Sequence, residues 1–83
     1  MFETTEYFKY MKNRPDRADI QDEWIAYGMT QAVHEEIQTD GRIKRWAFID
    51  EIGKYLRVIL LPDKETVHNA FLDRNYRRQR HED

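Results

Sequence analysis

The chain predicts an α+β fold in which two N-terminal helices pack on a four-stranded antiparallel sheet. Three observations carry this expectation. Residues 33–73 read VHEEIQTDGRIKRWAFIDEIGKYLRVILLPDKETVHNAFLD, four β-rich runs of similar length. Three turn signals part them: Asp40-Gly41, Glu51-Ile52-Gly53 and Pro62-Asp63-Lys64. Residues 1–32 instead space their apolar side chains at helical intervals, and so provide the layer that covers one sheet face.

Thr4 or Thr5 caps the first helix, with Glu6 in its first turn, where a negative charge suits the helix dipole. Tyr7, Phe8, Tyr10 and Met11 share one broad face of it. Arg14-Pro15 ends that helix, because proline disfavours helical geometry in the residue before it. Asp16 or Asp19 then caps a second helix whose apolar stripe is Ile20, Trp24, Ile25 and Met29, with Gly28 weakening it near its end.

The strands are expected at 33–39, 42–49, 54–61 and 65–72. A two-residue type I′ turn at Asp40-Gly41 pairs Thr39 with Arg42, and hence Glu36 with Arg45 and Val33 with Phe48. Val33, Ile37, Trp46 and Phe48 then form the better core face of the first hairpin, against His34, Glu36, Ile43, Arg45 and Ala47. The nearly continuous apolar run 54–61 suits the central strand. In the last strand Val67, Asn69 and Phe71 face one way, and His68, Ala70 and Leu72 the other. Residues 1–76 thus make one domain, followed by a polar C-terminal tail at 77–83.

Eighty-three residues suffice for one small core, and no cysteine is present to staple it. Disulfides and thiolate metal sites are excluded. The histidines His34, His68 and His81 lack ligand spacing, so no metal is expected, and three isolated glycines make no phosphate loop, so no cofactor is expected. Without Ser or Cys there is no Ser–His–Asp or Cys–His nucleophile. No apolar run approaches the roughly 20 residues of a membrane span, and the N-terminus lacks the form of a secretory signal, so a cytoplasmic protein is the expectation.

The net charge of −2 conceals an asymmetry. Residues 1–40 hold four Lys/Arg and nine Asp/Glu, whereas residues 41–83 hold ten and seven. In that second part Arg42, Lys44, Arg45, Arg57, Arg74, Arg77, Arg78 and Arg80 alternate with Trp46, Tyr55, His68 and Tyr76. Cations hold phosphates and aromatic rings offer bases a stacking surface. Metal-free RNA cleavage needs a base, a cation for the phosphorane and an acid, which His with Arg or Lys can supply. The plainer alternative is solvated charge that protects strand edges.

The run DGRIKRWAFID–GKYLRVILL–ETVHNAFLDR, with Gly41-Arg42, Tyr55-Leu56-Arg57-Val58 and a final strand bearing His68, resembles the RelE/ParE/BrnT-type toxin superfamily over roughly residues 5–76. The resemblance implies a RelE-like two-layer fold and a toxin-like, metal-independent endoribonuclease, acting on free or ribosome-bound RNA and paired with a small antitoxin from an adjacent gene. It implies His68, Arg57 and Arg45 as the catalytic group. Arg42, Lys44, Trp46, Tyr55 and Arg74 would then bind RNA. The alternative on the same scaffold is a non-catalytic module binding a small protein through its exposed sheet edge or its tail, and self-association that hides an edge strand is a third reading.

Overall fold

The chain begins with a strand that the sequence does not announce. In the computed structural model, which describes residues 2–76, β1 (Glu3–Thr4) lies parallel to β5 (Thr66–Leu72), with Glu3 opposite Thr66 and Thr4 opposite Val67. The Thr5 N–H continues the contact by donating to the Val67 carbonyl at 3.0 Å. The sheet is therefore five-stranded and mixed, in the order β1-β5-β4-β3-β2, rather than four-stranded and antiparallel. Two residues cannot display a period, so β1 left no pattern to read. The expected tail, 77–83, lies outside the described residues.

Helix α1 (Glu6–Lys12) starts where Thr5 caps it, the Thr5 hydroxyl accepting from the Phe8 N–H at 3.1 Å. Phe8 and Met11 point inward, while Tyr7 and Tyr10 are exposed, so the buried face is narrower than the run of rings suggested. The helix stops at Lys12, ahead of Pro15. Helix α2 (Asp22–Thr30) begins later than expected, after Gln21 in an extended conformation. Neither Asp16 nor Asp19 caps it. Residues 14–20 form successive turns instead, and Asp16 lies within salt-bridge distance of Arg14 and Arg17. Ile20 is buried but precedes the helix.

The first hairpin joins β2 (His34–Ile37) to β3 (Ile43–Ile49) with a register one residue away from that expected. Glu35 faces Arg45 and Ile37 faces Ile43; the Glu36–Arg45 pairing does not form. The loop explains the slip. Gly41 donates to the Gln38 carbonyl and Gln38 to the Arg42 carbonyl, closing a three-residue loop in which Gly41 alone has positive φ. A type I′ turn needs positive φ at Asp40 too, whereas a type I turn followed by a left-handed glycine does not. Because strand side chains alternate, a one-residue shift exchanges faces. Ile43, Ala47 and Ile49 enter the core, and Trp46 and Phe48 leave it for the opposite face.

β4 (Lys54–Leu60) is central, as its apolar run suggested, and lies between β3 and β5. Its Leu56, Val58 and Leu60 are fully buried under the helices with Ile25, Ile43 and Val67. Full burial of such side chains contributes about 1.5–3 kcal/mol each relative to exposure. A bulge between Ile59 and Leu60 lets β5 bury both Val67 and Ala70, three residues apart, which strict alternation would not allow. Gly28 brings α2 down onto this layer: a Cβ there would lie 2.8 Å from Val58 Cγ2.

Candidate functional site

With both helices on one face, no helix among the described residues covers the other face of the sheet. The strand registers align His34, Trp46, Arg57 and Phe71 in one row across β2, β3, β4 and β5, with Phe48 opposite Tyr55 in the next. The Arg57 guanidinium lies over the rings of Trp46 and Phe71, at 5.2 and 4.9 Å. Tyr76 stacks on Trp46 at 5.0 Å and meets Tyr55 edge-on at 4.8 Å.

Asp73 closes this cluster from below. Its Oδ2 accepts from Trp46 Nε1 at 2.9 Å and from Arg57 Nε and Nη2 at 3.0 and 2.6 Å, and its Oδ1 accepts from the Asn75 N–H. Burial raises the carboxyl's affinity for a proton, but the bonds from Trp46 and Arg57 and the Arg57 charge outweigh it, so Asp73 ionises below the ordinary carboxylate value. The sequence singled out Arg57 and Trp46 as reactive or RNA-binding groups. In the fold they are the two side-chain donors to one buried acid.

The three residues expected to act together as a catalytic group do not converge. Arg45 lies in the row of Glu35, Val58 and Ala70, on the helix-covered face. There it donates to Glu35 at 2.7 Å and to the Met29 carbonyl in the last turn of α2. That turn has no basic residue of its own, so Arg45 supplies the cation its dipole favours. Arg57 is on the opposite face. His68 lies three residues from Phe71 along β5, about 10 Å at strand spacing. Its ring stacks on Tyr7 at 4.8 Å, with Nδ1 3.2 Å from the Thr5 hydroxyl. Burial and then the Arg42 charge lower its pKa, against the opposing pull of Asp40.

The expected RNA contacts are divided as well. Arg42 lies 3.7 Å from Asp40, and Trp46 is 4% exposed beneath Tyr76. Lys44 sits in the outer row with Glu36, Ile59 and Asn69. Only Tyr55 and Arg74 meet in one place, a cleft of about 280 Å³ lined also by Lys54, Leu72, Asp73 and Tyr76. Among the described residues neither Lys54 nor Arg74 has an ion-pair partner. Arg77, Arg78, Arg80 and His81 lie outside the described residues.

The sequence offered an exposed sheet edge as an interaction surface without saying which strand supplies it. β2 is the terminal strand and spans only His34–Ile37, so among the described residues nothing pairs with its outer side. Gln38 donates to Arg42, which by alternation turns the N–H and C=O of Glu35 and Ile37 away from β3. Ile37 is 66% exposed. β3 also runs on past the pairing of His34 with Trp46 to Ile49. No helix among the described residues is long and apolar enough to cross a membrane. Compared with protein-family models, curated proteins and solved structures, the chain matches none of them.

Proposed function

We propose that this chain is a non-catalytic protein-binding module that takes up a partner along its open edge, at β2 and the uncovered end of β3. The observation that carries the reading is that edge: a short strand whose outward backbone groups have no partner among the described residues, with Val33 before it and Ile37 at its end both exposed. An exposed edge is a ready template for an added strand. The fate of the cations supports the same reading, since Arg42, Arg45 and Arg57 each lie against an acid. A small protein encoded by an adjacent reading frame is the partner to test.

Co-expression with each neighbouring reading frame, followed by size exclusion, tests this directly. A stable complex is expected with one of them. Ile37→Pro removes an N–H that faces away from β3, and it should abolish the complex while leaving the circular dichroism unchanged. Growth arrest or RNA cleavage without any partner binding would overturn the reading.

A second reading, the toxin-like endoribonuclease, is favoured by the cleft in which Lys54 and Arg74 meet Tyr55 and Tyr76. It requires RNA cleavage by the purified protein, with or without ribosomes, that Arg74→Ala removes.

A further inference from the structure

We propose that the notch where β2 stops and β3 continues binds an extended segment of a partner protein bearing a lysine or arginine side chain. This rests on the protein-binding reading and specifies the partner's chemistry.

The notch is a cleft of about 210 Å³ between the N-terminal half of α2 and the end of β3, lined by Glu23, Trp24, Tyr27, Phe48, Ile49, Asp50 and Glu51. Two features of it are independent of each other. The first is backbone geometry. Pairing alternates along β3, with Arg42, whose carbonyl accepts from Gln38, and Trp46, whose carbonyl accepts from Val33, directed toward β2. The Phe48 N–H and C=O therefore face the same side, where β2 no longer runs, and no backbone hydrogen bond reaches them among the described residues. A further extended chain can pair at Phe48 without displacing a backbone partner among the described residues.

The second feature is charge beside aromatic surface. Glu23, Asp50 and Glu51 have neither an ion pair nor a side-chain hydrogen bond among the described residues, unlike Asp22, which pairs with Lys12 at 3.1 Å. Tyr27 and Phe48, at 47% and 38% exposure, border the same cleft. Carboxylates beside ring faces suit a long cationic side chain, whose methylenes lie on the rings while its head meets the acids. Complementarity also argues against a second copy of this chain as occupant, because its own edge strand carries Glu35 and Glu36 and would bring acids against acids.

The test uses the whole protein, labelled for NMR, and three synthetic nine-residue peptides of alternating sequence that differ only at their charged positions: Lys/Arg, Gln or Glu. The basic peptide is expected to bind saturably, shift the amides of Glu23, Tyr27, Phe48 and Glu51, and protect the Phe48 amide from exchange. Raising salt should weaken it. The triple change Glu23→Gln, Asp50→Asn, Glu51→Gln should lower its affinity by about tenfold or more, with an unchanged unfolding midpoint showing an intact fold. Equal binding of the three peptides, or an unaffected triple variant, would overturn the proposal. If peptides shift β2 amides but not those of the notch, the notch fails and the protein-binding reading stands. Self-association without peptide binding would overturn the choice of occupant.

Discussion

Asp73 and Arg57 form a two-pronged ion pair in which a single carboxylate oxygen accepts from both Nε and Nη2, at 3.0 and 2.6 Å. The side chain of Asp73 is 6% exposed and that of Arg57 25%. Asp73 lies just beyond β5 and Arg57 in the middle of β4, so the pair joins a strand end to the sheet centre, with the Trp46 indole N–H donating to the same oxygen.

Asp73→Ala should therefore destabilise the fold by about 2–4 kcal/mol, the lower part of the range for breaking a buried pair because Arg57 keeps some solvent. Removing both partners in Arg57→Met with Asp73→Leu should cost clearly less than the single change, since no buried charge is left without its partner. Urea unfolding of the two variants measures this. Equal losses for single and double variants would show that the pair contributes no coupling.

Gly28→Ala should destabilise by about 1–3 kcal/mol although alanine is the better helix former, because the added methyl meets Val58 at 2.8 Å. Val58→Ala alone leaves a cavity and is also destabilising. Combined, the two should cost less than their sum, and a double-mutant cycle reads that coupling.

Trp24 Nε1 is buried without a hydrogen-bond partner among the described residues. An orphaned donor carries a desolvation cost of about 1–3 kcal/mol. Trp24→Phe removes it along with some apolar area, so the unfolding free energy should change by less than about 1 kcal/mol, whereas Trp24→Ala should lose several. A large loss in the phenylalanine variant would mean that the indole N–H is satisfied in solution.

Stability should fall with acid in two windows. His68 has a pKa below its ordinary 6.5, so its contribution is present above that value and is lost as the pH drops through the lowered folded-state value. Asp73 and Asp63 ionise below their ordinary 3.8 and so contribute above it, losing that contribution as the pH falls through their own folded-state values. Asp63 owes its shift to the Thr66 hydroxyl and then to the Glu65 and Thr66 N–H groups. Denaturant midpoints against pH should show the first window vanish in His68→Gln and the second shrink in Asp73→Asn.

Arg45→Met tests the role the fold assigns to that cation. It should lower stability by about 1–2 kcal/mol, through loss of the bond to the Met29 carbonyl and of the Glu35 pair. It should leave partner binding at the edge unchanged, as judged by the co-expression complex.

Local chemistry made the main elements legible. Thr5 caps a helix, Pro15 forbids its continuation, and the turns at Gly53 and Asp63 part runs too apolar to be anything but strands. Less could be read of the candidate site. Arg45, Arg57 and His68 look alike in a sequence, as cations interleaved with rings. Whether each faces helix, open sheet or edge depends on one glycine loop and one bulge.

What the sequence determined by itself was the order and approximate extent of helices and main strands, because caps, turn residues and periodicity act over a few neighbours. Tertiary structure alone decided the addition of Glu3–Thr4 to the sheet, the one-residue register of the first hairpin and the capture of Arg57 by Asp73. Each of these joins residues distant along the chain or rests on a backbone choice that several sequences tolerate. Pairing geometry and the requirement that a buried charge find its counter-charge settle such choices only once the chain has closed.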